Sequence, residues 1–87
     1  MEPKEISDLI KKYSDASDVF HVTTFKGYRN NRELTVEIWD SGPASQLSGR
    51  YHIVARDEDG GVATGNPKDD INEALVGVHW FELDKAR

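Results

Sequence analysis

The stretch Glu33-Leu34-Thr35-Val36-Glu37-Ile38-Trp39 decides the fold, because aliphatic residues alternate along it with mostly polar ones. Successive side chains of an extended chain point to opposite sides, so the aliphatic residues share one face. The pattern therefore predicts a strand with one buried face and one largely wet face that carries Trp39.

Three further segments favour strands in the same sheet. Residues 19–26 are rich in β-branched and aromatic residues, and residues 50–57 alternate as residues 33–39 do. Glu58-Asp59-Gly60-Gly61 supplies the positive φ angles of a hairpin turn, and residues 62–65 form a short returning strand. Residues 27–32 and 40–49 are predicted to be loops.

Helices are predicted at both ends of this strand region. Pro3 suits the first position of a helix over residues 3–14, whose apolar residues recur at helical spacing (Ile6, Leu9, Ile10 and Tyr13). Asn66 is the expected cap of a second helix that begins at Pro67. The residues of this helix that we expect to be buried are Ile71, Ala74, Leu75, Val78 and Phe81. Gly77 disfavours a helix that runs unbroken to Lys85, because glycine has a low helix propensity.

These elements predict an α+β fold with the order α-β-β-β-β-α. We expect one two-layer domain, in which an N-terminal and a C-terminal helix flank an antiparallel sheet of three to four strands on one face. The length of 87 residues fits a single domain.

The charge distribution bears on possible partners. Sixteen acidic and eleven basic residues give a net charge of −5, which disfavours phosphate-rich partners. Residues 26–56 contain five basic and three acidic residues, whereas residues 57–84 contain one basic and eight acidic residues. No apolar run reaches membrane-spanning length and residues 1–5 lack a signal-peptide pattern, so we expect a cytoplasmic protein without membrane contact.

The chain contains no convincing catalytic or metal-binding motif. It has no cysteine and no Gly-x-Ser-x-Gly sequence, and its three histidines are widely spaced. Residues 57–60 are similar to the start of a calcium loop, but Lys68 stands where the twelfth-position glutamate is required. We expect a protein that is not an enzyme and that uses no metal or cofactor.

The most informative candidate surface combines aromatic residues with arginines on and beside the wet face of the sheet. Such residues are typical of protein-binding hot spots, and they could equally stack unpaired nucleic-acid bases. Alternatively, Trp39 only covers its cross-strand neighbours. The candidate binding residues are Tyr28, Arg29, Trp39, Arg50, His52 and Arg56. Trp80 is either a second anchor or part of the core.

Residues 34–83 also resemble the double-stranded-RNA-binding domain. Residues 34–37 with the Gly42-Pro43 loop are similar to that family's first strand and loop. Residues 51–55 and 60–65 are similar to its next two strands, and residues 66–68 with Ala74-Leu75 to the start of its last helix. The resemblance implies a similar fold and binding to double-stranded RNA.

The residues that would bind RNA in that family are largely replaced. Its lysine cluster at the start of the last helix corresponds to Lys68-Asp69-Asp70, and its histidine after the Gly-Pro pair corresponds to Ala44-Ser45. We therefore expect a small acidic module that binds either another protein or itself, and in the second case forms a homodimer. Nucleic-acid binding through the basic and aromatic central strands is the alternative.

Overall fold

A computed structural model describes residues 2–42 and 49–84 of the chain. Residues 43–48, which include the proline of the predicted Gly-Pro loop, lie outside the described residues. The elements, in chain order, are helix α1 (Pro3–Ser14), strands β1 (His21–Arg29), β2 (Arg32–Asp40), β3 (Tyr51–Asp57) and β4 (Val62–Thr64), helix α2 (Ile71–Val76), and a 3₁₀ helix (Trp80–Asp84).

The four strands form one antiparallel sheet in the order β1-β2-β3-β4. Each strand therefore pairs with its neighbour along the chain. This arrangement, with one helix before the sheet and one after it, confirms the predicted α+β fold.

The β1–β2 connection is shorter than the sequence pattern predicts. Asn30 and Asn31 have φ angles of 53° and 62°, and they form a two-residue turn between Arg29 and Arg32. Asparagine tolerates this left-handed conformation better than most residues. The predicted loop over residues 27–32 is therefore largely strand, and β1 and β2 each extend to nine residues.

The core lies on one side of the sheet, which we call the core side. Val36 opposes Ala55 and Ile38 opposes Ile53 in the register of β2 and β3. Helix α2 packs against β3 and the 3₁₀ helix against β4. The buried hydrophobic residues are Ile53, Ala55, Ala63, Ala74, Val78 and Leu83.

The second helix begins later than predicted. The backbone N–H and C=O of Lys68 bond to Tyr51 at 3.0 and 2.7 Å, so this segment is extended and continues the sheet hydrogen bonding. Asp70, rather than Asn66, caps the helix and accepts a hydrogen bond from the Glu73 N–H at 3.3 Å. Pro67 is thus not the first helical residue.

The C-terminal end of the fold departs from one continuous helix. Gly77 ends α2, and the following 3₁₀ helix buries Leu83 while leaving Phe81 60% exposed. Phe81 is therefore not buried, contrary to the prediction. Trp80 packs against the core, and its indole Nε1 donates to the Leu75 carbonyl at 3.2 Å. Of the two alternatives for Trp80, the structure supports the one in which it is part of the core.

Helix α1 has its predicted bounds but does not lie on the sheet as expected. No residue of α1 is buried. The described chain extends 44 Å along its longest axis and has a radius of gyration of 14.7 Å, against about 12 Å for a compact chain of this length. None of the described helices is long and apolar enough to cross a membrane.

Candidate functional site

The side of the sheet opposite the core carries the central candidate residues, and we call it the Trp39 face. Trp39 lies directly opposite His52 in the β2–β3 register, and Arg56 lies opposite Thr35. Alternation along both strands places these side chains on one surface. Its members are Trp39, His52, Arg56, Glu37 and Val54, with Val22 and Val62 from the outer strands.

Glu37 organises the centre of the Trp39 face. Its Oε1 atom accepts hydrogen bonds from Arg56 Nη1 at 2.6 Å and from Trp39 Nε1 at 3.2 Å. The bond from Arg56, followed by that from Trp39, lowers the pKa of the Glu37 carboxyl below its usual value. The carboxylate is therefore ionised at neutral pH and holds the indole and the guanidinium in fixed positions.

Phe20 also holds Trp39 in place. Its ring meets the Trp39 ring edge-on, at a centroid distance of 5.5 Å and an interplanar angle of 67°, a favourable aromatic geometry. On the outer strands, Val22 lies opposite Trp39 and is 37% exposed, and Val62 lies opposite Arg56 and is 50% exposed. The Trp39 face thus combines a fixed, half-buried tryptophan with exposed apolar and charged groups.

Tyr28 belongs to the same side of the sheet but not to the same cluster. It pairs with Glu33 near the β1–β2 turn, six residues along β1 from Val22, which faces Trp39. That separation corresponds to about 20 Å. Tyr28 is 80% exposed, so it is well separated from Trp39.

The other two candidate arginines are engaged elsewhere. Arg29 binds both carboxylate oxygens of Asp84 at 2.6 and 3.0 Å, and so ties the β1–β2 turn to the 3₁₀ helix. Arg50 binds both oxygens of Asp40 at 2.7 and 3.0 Å and lies 4.9 Å from the centre of the Tyr51 ring. The structure therefore brings together Trp39, His52 and Arg56 but not Arg29 or Arg50.

Every basic residue of the mildly positive segment 26–56 has an acidic partner. The pairs are Lys26–Glu33 at 2.9 Å, Arg29–Asp84 at 2.6 Å, Arg32–Asp59 at 3.1 Å, Arg50–Asp40 at 2.7 Å and Arg56–Glu37 at 2.6 Å. These pairs neutralise the positive charge that would attract a phosphate backbone.

The three histidines lie in three different places. His21 is on the core side of β1, His52 is on the Trp39 face, and His79 stacks on Phe81 beyond α2 at 5.6 Å. Among residues 2–42 and 49–84, no group of three or more histidine, aspartate or glutamate side chains could hold a metal ion. Asp57 Oδ1 accepts the Asp59 and Gly61 N–H groups, which is hairpin-turn geometry.

Comparison with known proteins provides no relative: no family model, curated protein or solved structure matches the chain. The site must therefore be interpreted from its own residues. Sequence reasoning missed Glu37 and Phe20 as members of it. Alternation already placed Glu37 beside Trp39 on the wet face, whereas nothing local indicated that Phe20 contacts Trp39.

The Asp40–Arg50 pair gives a test of pH dependence. Its hydrogen bonds from Arg50 lower the pKa of Asp40 in the folded chain. The stabilisation is therefore present above the unfolded pKa of about 3.9 and is lost as the pH falls through the lower folded value. We expect Asp40→Asn to lower the Tm at neutral pH by about 2–5 °C and to reduce the loss of Tm on acidification.

Thermal melting monitored by circular dichroism, from about pH 7 down to about pH 2.5, measures both effects because aspartate carboxyls titrate within this interval. Asp18→Asn is the matched control, because Asp18 is an exposed carboxylate between α1 and β1. If Asp40→Asn and Asp18→Asn give the same melting profile, the Arg50 pair does not stabilise the fold.

Proposed function

We propose that this chain is a non-enzymatic protein-binding module whose docking surface is the Trp39 face. The observation that carries the proposal is the cluster in which Glu37 and Phe20 hold Trp39 beside Arg56. Tryptophan and arginine are the residues most enriched among binding hot spots. Side chains already fixed in the free protein lose less conformational entropy when a partner binds.

The location of this cluster also supports docking. The packed helical elements, α2 and the 3₁₀ helix, lie on the core side, so neither covers Trp39. A partner could therefore approach Trp39, His52 and Val54 together. The exposed Val22 and Val62 extend the apolar area on both sides.

A protein partner is favoured over nucleic acid for an electrostatic reason. The net charge is −5, and the basic residues that flank the Trp39 face are already paired with carboxylates. The resemblance to the double-stranded-RNA-binding domain is retained as a proposal about fold alone. A cytoplasmic location is likewise part of this proposal.

The test is affinity capture from native cell extract followed by mass spectrometry, with the wild-type chain and two variants. Trp39→Ala and Arg56→Ala should each reduce capture of the main partner at least about tenfold, as expected for hot-spot residues. Trp39 is half-buried and Arg56 is exposed, and both lie on the side of the sheet opposite the core. Both variants should therefore remain folded.

Tyr28→Ala is the matched control for these variants. It removes an aromatic side chain from the same side of the sheet, far from the cluster, and should leave capture unchanged. Normal capture by both Trp39→Ala and Arg56→Ala, with unaltered circular dichroism spectra, would exclude the Trp39 face as the docking surface.

A further inference from the structure

Helix α1 presents an apolar stripe that the rest of the described chain leaves uncovered. The α1 stripe consists of Ile6, Leu9, Ile10 and Tyr13, which are 45%, 38%, 43% and 77% exposed. Its exposed area is on the order of 400 Å², comparable to the largest apolar patch of a typical monomer, which is often functional. An amphipathic helix gains most of its stability by burying such a stripe, so α1 requires a surface on which to pack.

A matching surface on the core side of the sheet is left exposed by the part of the chain that the structure describes. On β1 it comprises His21, Thr23 and Phe25, which are exposed, with Phe25 at 55%. Their register partners on β2 include Ile38 and Val36, which are only half-buried although they pack against the core. We call this area the β1–β2 surface.

Within residues 2–42 and 49–84, the C-terminal elements pack over the other half of the sheet and leave the β1–β2 surface exposed. Helix α2 packs on β3 and the 3₁₀ helix on β4, and Asp84 binds Arg29 at the far end of β1 from His21. The half of β1 that begins at His21 therefore has no covering layer from α2 or the 3₁₀ helix.

The dimensions of α1 suit this surface. A helix about 10 Å wide covers two strands that lie about 4.8 Å apart. The twelve residues of α1 span about 18 Å, and the five residues from His21 to Phe25 span about 17 Å. One helix of this length is thus sufficient to cover the β1–β2 surface.

We propose that the occupant of the β1–β2 surface is the α1 helix of a second copy of this chain, in a reciprocal homodimer. Each copy then contributes one helix and receives one, which is a closed two-fold arrangement. Two such contacts bury on the order of 1,500 Å², the size of a standard stable interface. The elongated shape of the described chain agrees with a helix presented outward rather than folded back.

The test uses two full-length variants that each remove a different half of the contact. Ile10→Asp places a charge in the α1 stripe, and Phe25→Asp places one in the β1–β2 surface. We expect wild type to sediment as a dimer at high micromolar concentration, and each variant alone to raise the dimer dissociation constant at least about tenfold.

Mixing the two variants provides the decisive measurement. The heterodimer retains one intact contact, between α1 of the Phe25→Asp chain and the β1–β2 surface of the Ile10→Asp chain. Native mass spectrometry distinguishes it by mass, and we expect it to exceed either mutant homodimer. Val76→Asp is the control, because Val76 is a 76% exposed residue of α2 and its change should leave dimerisation intact.

Three outcomes would overturn the proposal. A wild-type chain that is monomeric at all concentrations would mean that no second copy is bound. A Phe25→Asp chain that still dimerises would place the contact between the two α1 helices. A mixture without enrichment of the heterodimer would exclude reciprocal exchange. Trp39→Ala should not affect any of these measurements, so this result and that for the Trp39 face are independent.

Discussion

Gly65→Ala is expected to destabilise the domain by about 3 kcal/mol or more, close to the limit that a chain of this size tolerates. A β-carbon at Gly65 would lie 2.5 Å from the carbonyl oxygen of Gly77 and 2.9 Å from its carbonyl carbon. Both are backbone atoms at the end of α2, so no side chain can move aside. The backbone at Gly65 and the backbone at Gly77 would have to move apart. The hydrogen bond from the His79 N–H to the Thr64 carbonyl lies directly beside this contact.

Urea unfolding monitored by circular dichroism measures this loss. Gly27→Ala is the control, because Gly27 lies within β1 and a β-carbon there meets no atom within 4 Å. It should be neutral or slightly stabilising, since alanine lowers the entropy of the unfolded chain. If Gly65→Ala changes the free energy of unfolding as little as Gly27→Ala does, α2 does not lie against the end of β4.

Leu83→Ala should cost about 2–5 kcal/mol, the range observed for fully buried leucines. Leu83 is 1% exposed and is one of the two largest side chains that are fully buried, together with Ile53. Its removal would leave a cavity under the sheet and would loosen the 3₁₀ helix, whose Asp84 binds Arg29.

Phe81→Ala is the informative comparison in the same 3₁₀ helix. Phenylalanine is the larger residue, but Phe81 is 60% exposed and contacts His79 at the surface. Its loss should therefore cost about 1 kcal/mol or less. Equal free energies of unfolding for the two variants would contradict the orientation of the 3₁₀ helix.

The local elements could be predicted because their signals are local. The alternation at residues 33–39 identified β2 and its two faces, and the Asp59-Gly60 pair identified the β3–β4 turn. The apolar spacing and Pro3 gave the bounds of α1. Each of these patterns depends only on residues that are adjacent or one helical turn apart.

The start of α2 could not be predicted in this way, because two equally good capping residues compete. Asn66 and Asp70 both suit an N-cap position. The choice is made by Lys68, whose backbone pairs with Tyr51, seventeen positions earlier. A non-local hydrogen bond therefore sets the boundary, and no property of the segment itself reveals it.

The same distinction applies to the candidate site. The alternating pattern was enough to place Trp39, His52 and Arg56 on one surface. The partner of Arg29 was not predictable, since Asp84 lies 55 positions away in a part of the chain that was expected to be regular helix. The sequence alone does not show that the candidate arginines are already bound to carboxylates in the folded chain.

The order β1-β2-β3-β4 also has a consequence for how the chain reaches this structure. Because every strand pairs with its sequence neighbour, even the most distant register partners, Leu34 and Asp57, are only 23 positions apart. A sheet without crossovers loses less loop entropy before its contacts form than a sheet that pairs distant strands, and this favours faster folding. The Asn30-Asn31 turn joins two nine-residue strands directly, so we expect this hairpin to form early and the sheet to grow from it towards β4.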